Sequence, residues 1–165
     1  MSSRSVEWVD MSAAVVQLRQ IPESIVALSG FDSTDYFDVF RVETEGTTRA
    51  PEQWARALLE DAAGIGGQFV FRGVLGLRLT GRRSPNHVGG WKIADRGDRW
   101  IRLEAVSWLL EAHIVVQVDE ASVSVGTFLA NARPIAKLIW TPMSTVHRQA
   151  MPFLLRKAAR SQARP

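Results

Sequence analysis

From residue 88 onward, apolar and polar side chains alternate with a period of two, the mark of strands with one buried face. This spacing predicts strands at about 88–94, 100–107, 110–118 and 122–130, with turns at Arg96-Gly97-Asp98 and Asp119-Glu120-Ala121. Connections this short between consecutive strands imply an antiparallel meander. The junction Trp108-Leu109-Leu110 carries no recognisable turn chemistry and is the least defined boundary. An earlier strand is expected from Tyr36 to Glu45, where Phe40, Val42 and Thr44 alternate with Val39, Arg41, Glu43 and Glu45.

The period is helical elsewhere. Pro51 suits a first helical turn, and Trp54, Ala55, Leu58, Leu59 and Ala62 form a stripe that ends at Gly64, Gly66 and Gly67. Gln68 to Leu79 reads equally as a second helix or a strand, and Thr80 to His87 as a polar loop. A closing helix is expected from Thr141-Pro142 to about Arg160, with Met143, Val146, His147, Ala150, Leu154 and Ala158 on one face. Pro152 falls on its opposite face, where a kink would bend the helix around whatever it covers. Near the start, Ser12 to Arg19 is weakly helical in pattern, Pro22 stops it, and Gly30-Phe31-Asp32-Ser33 reads as a turn.

The order predicts an α+β fold: a curved antiparallel sheet wrapped around a long C-terminal helix, with one or two short helices after the first strand. Residues 1–35 are expected to form an extension packing on a domain of residues 36–160, with 161–165 a frayed basic tail. Strand parity places Phe40, Val42, Trp91, Ile93, Ile101, Leu103, Ile114, Val116, Val123, Val125 and Leu129 on the face toward the closing helix. Arg41, Glu43, Lys92, Arg102, Glu104, His113 and Gln117 take the other face, which is expected to be wet. Trp100, Val106 and Trp108 share that outer parity, so cover is expected from Val6, Trp8, Val9, Val15 and Val16, or from a second subunit.

Composition narrows the function classes. With 165 residues, 46% apolar and 22% charged, the chain is sized and balanced for one globular domain. It has no cysteine, which removes disulfide and thiolate chemistry and agrees with a cytoplasmic location. No run approaches the length of a membrane span, and Met1 to Asp10 lacks the pattern of a secretory signal. The net charge of +3 rests on scattered groups, Arg82-Arg83 and Arg156-Lys157, Arg160 and Arg164. They accompany no nucleic-acid motif and read as a solvated helix end, so no nucleic-acid partner is expected.

Certain local runs resemble the START-like superfamily, also called the SRPBCC or Bet v 1-like helix-grip fold, and more narrowly the bacterial DUF2867 group. These are Asp38-Val39-Phe40-Arg41-Val42, Leu75-Gly76-Leu77-Arg78-Leu79 and Trp100-Ile101-Arg102-Leu103-Glu104-Ala105. Ile139-Trp140, Pro142 and His147 resemble the family's approach to its last helix, with Ile139 replacing the usual aromatic. The resemblance spans roughly Asp35 to Arg160 and implies a hydrophobic cavity between sheet and helix for lipids, polyketides or other apolar molecules. On parity and resemblance together, its lining is expected to be Phe40, Val42, Trp91, Ile93, Leu103, Ile114, Val116, Val125, Leu129, Met143, His147, Ala150 and Leu154. The residues alone favour a close-packed core, and the resemblance brings a cavity level with it.

Chemistry-bearing candidates are few. His147 is the one polar residue on the apolar stripe of the closing helix. Glu104 and His113 could pair as acid and base, yet their parity points them away from the inferred cavity. His87 lies in a loop. Three scattered histidines without cysteine give no metal-ligand spacing, and phosphate-loop, dinucleotide and nucleophile-elbow motifs are absent, so no metal or cofactor is expected. The favoured expectation is an apolar-ligand binder, monomeric or weakly dimeric. The alternatives are a cyclase- or hydratase-like enzyme on the same fold and an interaction module using a Trp100/Trp108 face.

Overall fold

In the computed structural model, which describes residues 13–46, 49–81 and 84–162, seven strands form one antiparallel sheet. They are β1 (Val15–Gln17), β2 (Tyr36–Glu43), β3 (His87–Val88), β4 (Trp91–Gly97), β5 (Trp100–Val106), β6 (Leu110–Val118) and β7 (Ser122–Asn131). Their order across the sheet is β1-β2-β7-β6-β5-β4-β3. The meander β3 to β7 is built from neighbours in sequence, and β7 then returns to pair with β2. This curved sheet and the long closing helix α4 (Ile135–Gln162) make the α+β helix-grip arrangement that the hydrophobic pattern predicts.

Between β2 and β3 lie two short helical pieces. The first, α2 (Pro51–Arg56), starts on Pro51 and runs directly into a π-helical stretch, Ala57–Ala62. Trp54, Ala55, Leu58, Leu59 and Ala62 are all buried, as the stripe predicts. Gly64, with φ of +51°, ends this piece and starts α3 (Gly64–Phe69), which continues as a second π-helical stretch, Val70–Val74. Gln68 to Leu79 is therefore helical as far as Val74 and irregular, outside the sheet, beyond it.

The closing helix begins seven residues before the expected Pro142. Pro142 and Pro152 both lie inside it. Each removes one backbone donor from the helical ladder, and the nearby hydroxyls engage backbone carbonyls. Thr141 Oγ1 donates to the Lys137 carbonyl at 2.7 Å, and Ser144 Oγ to that of Thr141 at 2.7 Å. At the other end the helix runs to Gln162, and residues 163–165 of the expected tail lie outside the described residues.

Three more expectations need correction. Of the helix expected over Ser12 to Arg19, Ser12 lies outside the described residues and the rest is not helical: Val15–Gln17 pairs with Phe40 to Val42 of β2 as an edge strand. A short helix, α1 (Glu23–Leu28), follows Pro22. The outer face of the sheet is not simply wet, because Ile25 packs there on Val39, Val115 and Phe128, with Leu18, Ile21, Leu28 and Phe31 around them. Gly126 permits this approach, since a Cβ there would meet the Phe128 ring at 2.7 Å and Ile25 Cγ2 at 3.3 Å. Finally, the turn between β5 and β6 does have its chemistry: the Ser107 hydroxyl accepts from the amides of Leu109 and Leu110 at 3.0 and 3.1 Å.

Among the described residues, the expected cover does not reach the tryptophans. Val15 and Val16 sit at the sheet edge far from β5, and Val6, Trp8 and Val9 fall outside the described residues. Trp108 is 57% exposed, with the Arg133 guanidinium 5.9 Å from its ring centroid. Trp100 opens β5 and Trp108 lies beyond its far end, about 26 Å away at the usual rise of a strand. They do not form one patch.

Candidate functional site

A cavity of about 240 Å³ lies between the sheet, the two π-helical pieces and the closing helix. Its wall is almost wholly hydrocarbon. The sheet contributes Trp91, Ala112, Ile114, Val125, Thr127 and Leu129. Leu58, Leu59, Val70 and Phe71 close one side, and Trp140, Met143, Val146, His147, Ala150, Met151 and Leu154 of α4 close the other. A π-helical turn rotates side chains relative to α-helical spacing, and such turns are frequent beside functional sites.

Of the residues expected to line this space, Trp91, Ile114, Val125, Leu129, Met143, His147, Ala150 and Leu154 stand on its wall. Phe40, Val42, Ile93, Leu103 and Val116 do not. They share the inward parity but belong to the packed core that fills the rest of the grip. Parity reports which face a side chain takes, not how far along the strand the packing opens.

The polar feature of the cavity is one that spacing alone does not assemble. Asp38 lies on the inward parity of β2 with Phe40 and Val42, and is only 3% exposed. The Tyr36 phenol donates to Asp38 Oδ2. From the closing helix, His147 Nε2 reaches Oδ2 at 3.2 Å and Oδ1 at 3.4 Å. The imidazole is also held by aromatic rings, with the Trp140 centroid at 5.6 Å and that of Tyr36 at 6.4 Å. Tyr36 and Trp140 in turn meet edge to face at 5.0 Å. A buried carboxylate thus anchors the one imidazole on the cavity wall.

Burial, followed by the hydrogen bond to Asp38 and its charge, raises the Tyr36 phenol well above the ordinary tyrosine range, with Arg148 pulling weakly the other way. Because the folded value is raised, stability from this group is complete below the unfolded tyrosine value near 10 and declines as pH rises beyond it. Tyr36 is the single tyrosine, so its ultraviolet titration is unambiguous. The expected result is no tyrosinate signal in the folded protein until alkaline unfolding releases it. A reversible titration in the ordinary tyrosine range, in folded protein, would contradict the buried pairing.

Glu104 and His113 do pair, but on the far side of the sheet. His113 is 3% exposed, with Nε2 2.9 Å from Glu111 Oε1 and 3.7 Å from Glu104 Oε1. Its Nδ1 lies 2.6 Å from the Ser29 carbonyl, and its ring stacks on Phe31 at 3.9 Å. Arg102 ties Glu104 to the Leu28 carbonyl at 3.1 and 3.3 Å. The expected wet, exposed pair is instead the seat on which α1 and its following turn are fastened. His87 opens β3 and reaches Ser84 Oγ at 3.2 Å.

The two tryptophans on the cavity wall, Trp91 and Trp140, keep buried indole N–H groups without a partner among the described residues, as does Trp54 in the core. No group of histidines, cysteines or carboxylates among the described residues is arranged to hold a metal ion. No described helix is long and apolar enough to cross a membrane.

No family model matches the chain, and no curated protein matches it. Among solved structures, the X-ray structure of norcoclaurine synthase from Thalictrum flavum in complex with dopamine and hydroxybenzaldehyde aligns over 100% of this chain and 97% of that one. The identity is 10% and the TM-score 0.38, so the helix-grip assignment rests on this chain's own strand order and closing helix.

Proposed function

We propose that this protein binds a compact apolar molecule in the cavity between its sheet and closing helix, as the START-like resemblance implies. The observation that carries this reading is a void of about 240 Å³ walled by hydrocarbon in an otherwise filled grip. Close-packed interiors do not leave such spaces without cost, since the lining atoms lack partners on one side. The volume falls below the roughly 300–1,000 Å³ of drug-sized pockets, which favours a molecule of one or two rings over a long lipid chain.

The test is a titration with naphthalene, an uncharged two-ring probe, alongside native mass spectrometry of the gently purified protein. Wild type is expected to bind the probe saturably or to carry a small adduct, and Ala150→Phe, which fills the space from α4, to lose about tenfold or more in affinity. Equal probe binding by both proteins, with no adduct, would sink the reading.

A second reading, a cyclase- or hydratase-like catalyst, is supported by the Asp38–His147 pair, because a carboxylate-backed imidazole facing a cavity is built as a general base. Its mark would be conversion of a cavity ligand by wild type and not by His147→Leu. Identical chromatographic recovery of that ligand from both would dismiss it.

A further inference from the structure

The polar end of the cavity has a fixed hydrogen-bonding sense. Asp38 accepts from the Tyr36 phenol at Oδ2 and faces His147 Nε2 with both of its oxygens. A carboxylate in that position calls for a donor, so Nε2 carries the hydrogen. In a neutral imidazole the other nitrogen, Nδ1, then holds a lone pair. Nδ1 has no hydrogen-bond partner among the described residues, and it is not among the buried polar atoms left unpaired. His147 stands on the cavity wall, and Nδ1 is its one ring nitrogen that Asp38 does not engage.

We propose that the cavity selects a compact aromatic molecule bearing a hydroxyl, whose O–H donates to His147 Nδ1, and that Asp38 sets this preference by holding the imidazole in its Nε2–H tautomer. This selectivity rests on the binding function proposed for the same cavity. The apolar wall supplies affinity without direction, and the Trp140 and Tyr36 rings beside His147 offer faces and edges to an aromatic ligand. A ligand offering only an acceptor there would set lone pair against lone pair and leave both unsatisfied. Asp38 is therefore a positioning residue, acting through His147.

The experiment compares 2-naphthol, 2-methoxynaphthalene and naphthalene by isothermal titration on the full chain. The first two differ in whether the oxygen can donate. Wild type is expected to bind 2-naphthol about tenfold tighter than 2-methoxynaphthalene, the worth of one hydrogen bond. In Asp38→Asn the amide can donate to Nε2, which lets Nδ1 carry the hydrogen, and the preference is expected to shrink to about threefold or less, or to reverse. Equal wild-type affinity for 2-naphthol and 2-methoxynaphthalene would overturn the proposal while leaving the cavity reading intact. Failure of all three probes to bind would overturn the cavity reading itself. An undiminished naphthol preference in folded Asp38→Asn would remove Asp38 from the account, and if that variant does not fold, the wild-type comparison decides.

Discussion

Leu103→Ala is expected to cost about 3–4 kcal/mol of folding stability, and Leu154→Ala only about 1 kcal/mol, although both remove the same atoms. Leu103 is fully buried in β5, between Ile93 and Ile114 in register, and its truncation opens a hole where none existed. Leu154 stands on the cavity wall, so part of its surface already faces empty space and has fewer contacts to lose. Urea denaturation with unchanged slopes would measure both values. Equal losses of about 3 kcal/mol or more at the two sites would mean that the space closes in solution into an ordinary core, contrary to a binding cavity. A small loss at Leu154, with recovery when a ligand is added, would show the opposite.

The sheet is legible in the sequence because alternation is a local signal: parity over a few residues separates Ile101, Leu103 and Ala105 from Arg102 and Glu104 without knowledge of their partners. The features that escape sequence reasoning depend on distant contacts. Val15 and Val16 carry no strand signature strong enough to stand alone, and only pairing with β2 makes them one. Val39 reads as an exception on a wet face until Ile25 and Phe128 are seen beside it. Pro142 is a natural choice for a helix start because its ring suits the first turn, yet Pro134 precedes the observed first residue and the ladder tolerates both internal prolines. The candidate site is half legible. Asp38 shares parity with Phe40 and Val42, so the pattern contains an acid facing inward but nothing that marks it as part of a site. Its partner lies 109 residues away, and nothing in the spacing joins them.

That pairing supports a second large effect. His147→Leu is expected to destabilise the folded protein by about 2–3 kcal/mol at neutral pH, more than its half-buried position alone would suggest. The reason is what remains: the Asp38 carboxylate, with its side chain only 1% exposed, keeps a single donor from Tyr36 and loses the other. Removing one partner of a buried charge costs more than removing both, because the charge left behind is neither solvated nor fully bonded. Adding Asp38→Asn to His147→Leu is therefore expected to restore at least half of the loss, a coupling that independent sites would not show. If His147→Leu costs under about 0.5 kcal/mol, Asp38 is satisfied without the imidazole and the pair is incidental. Apolar residues of similar size would cover the sheet there with less to satisfy. A buried acid that holds one imidazole at the wall of a hydrocarbon cavity therefore serves that wall better than it serves the fold, and the double variant separates the two.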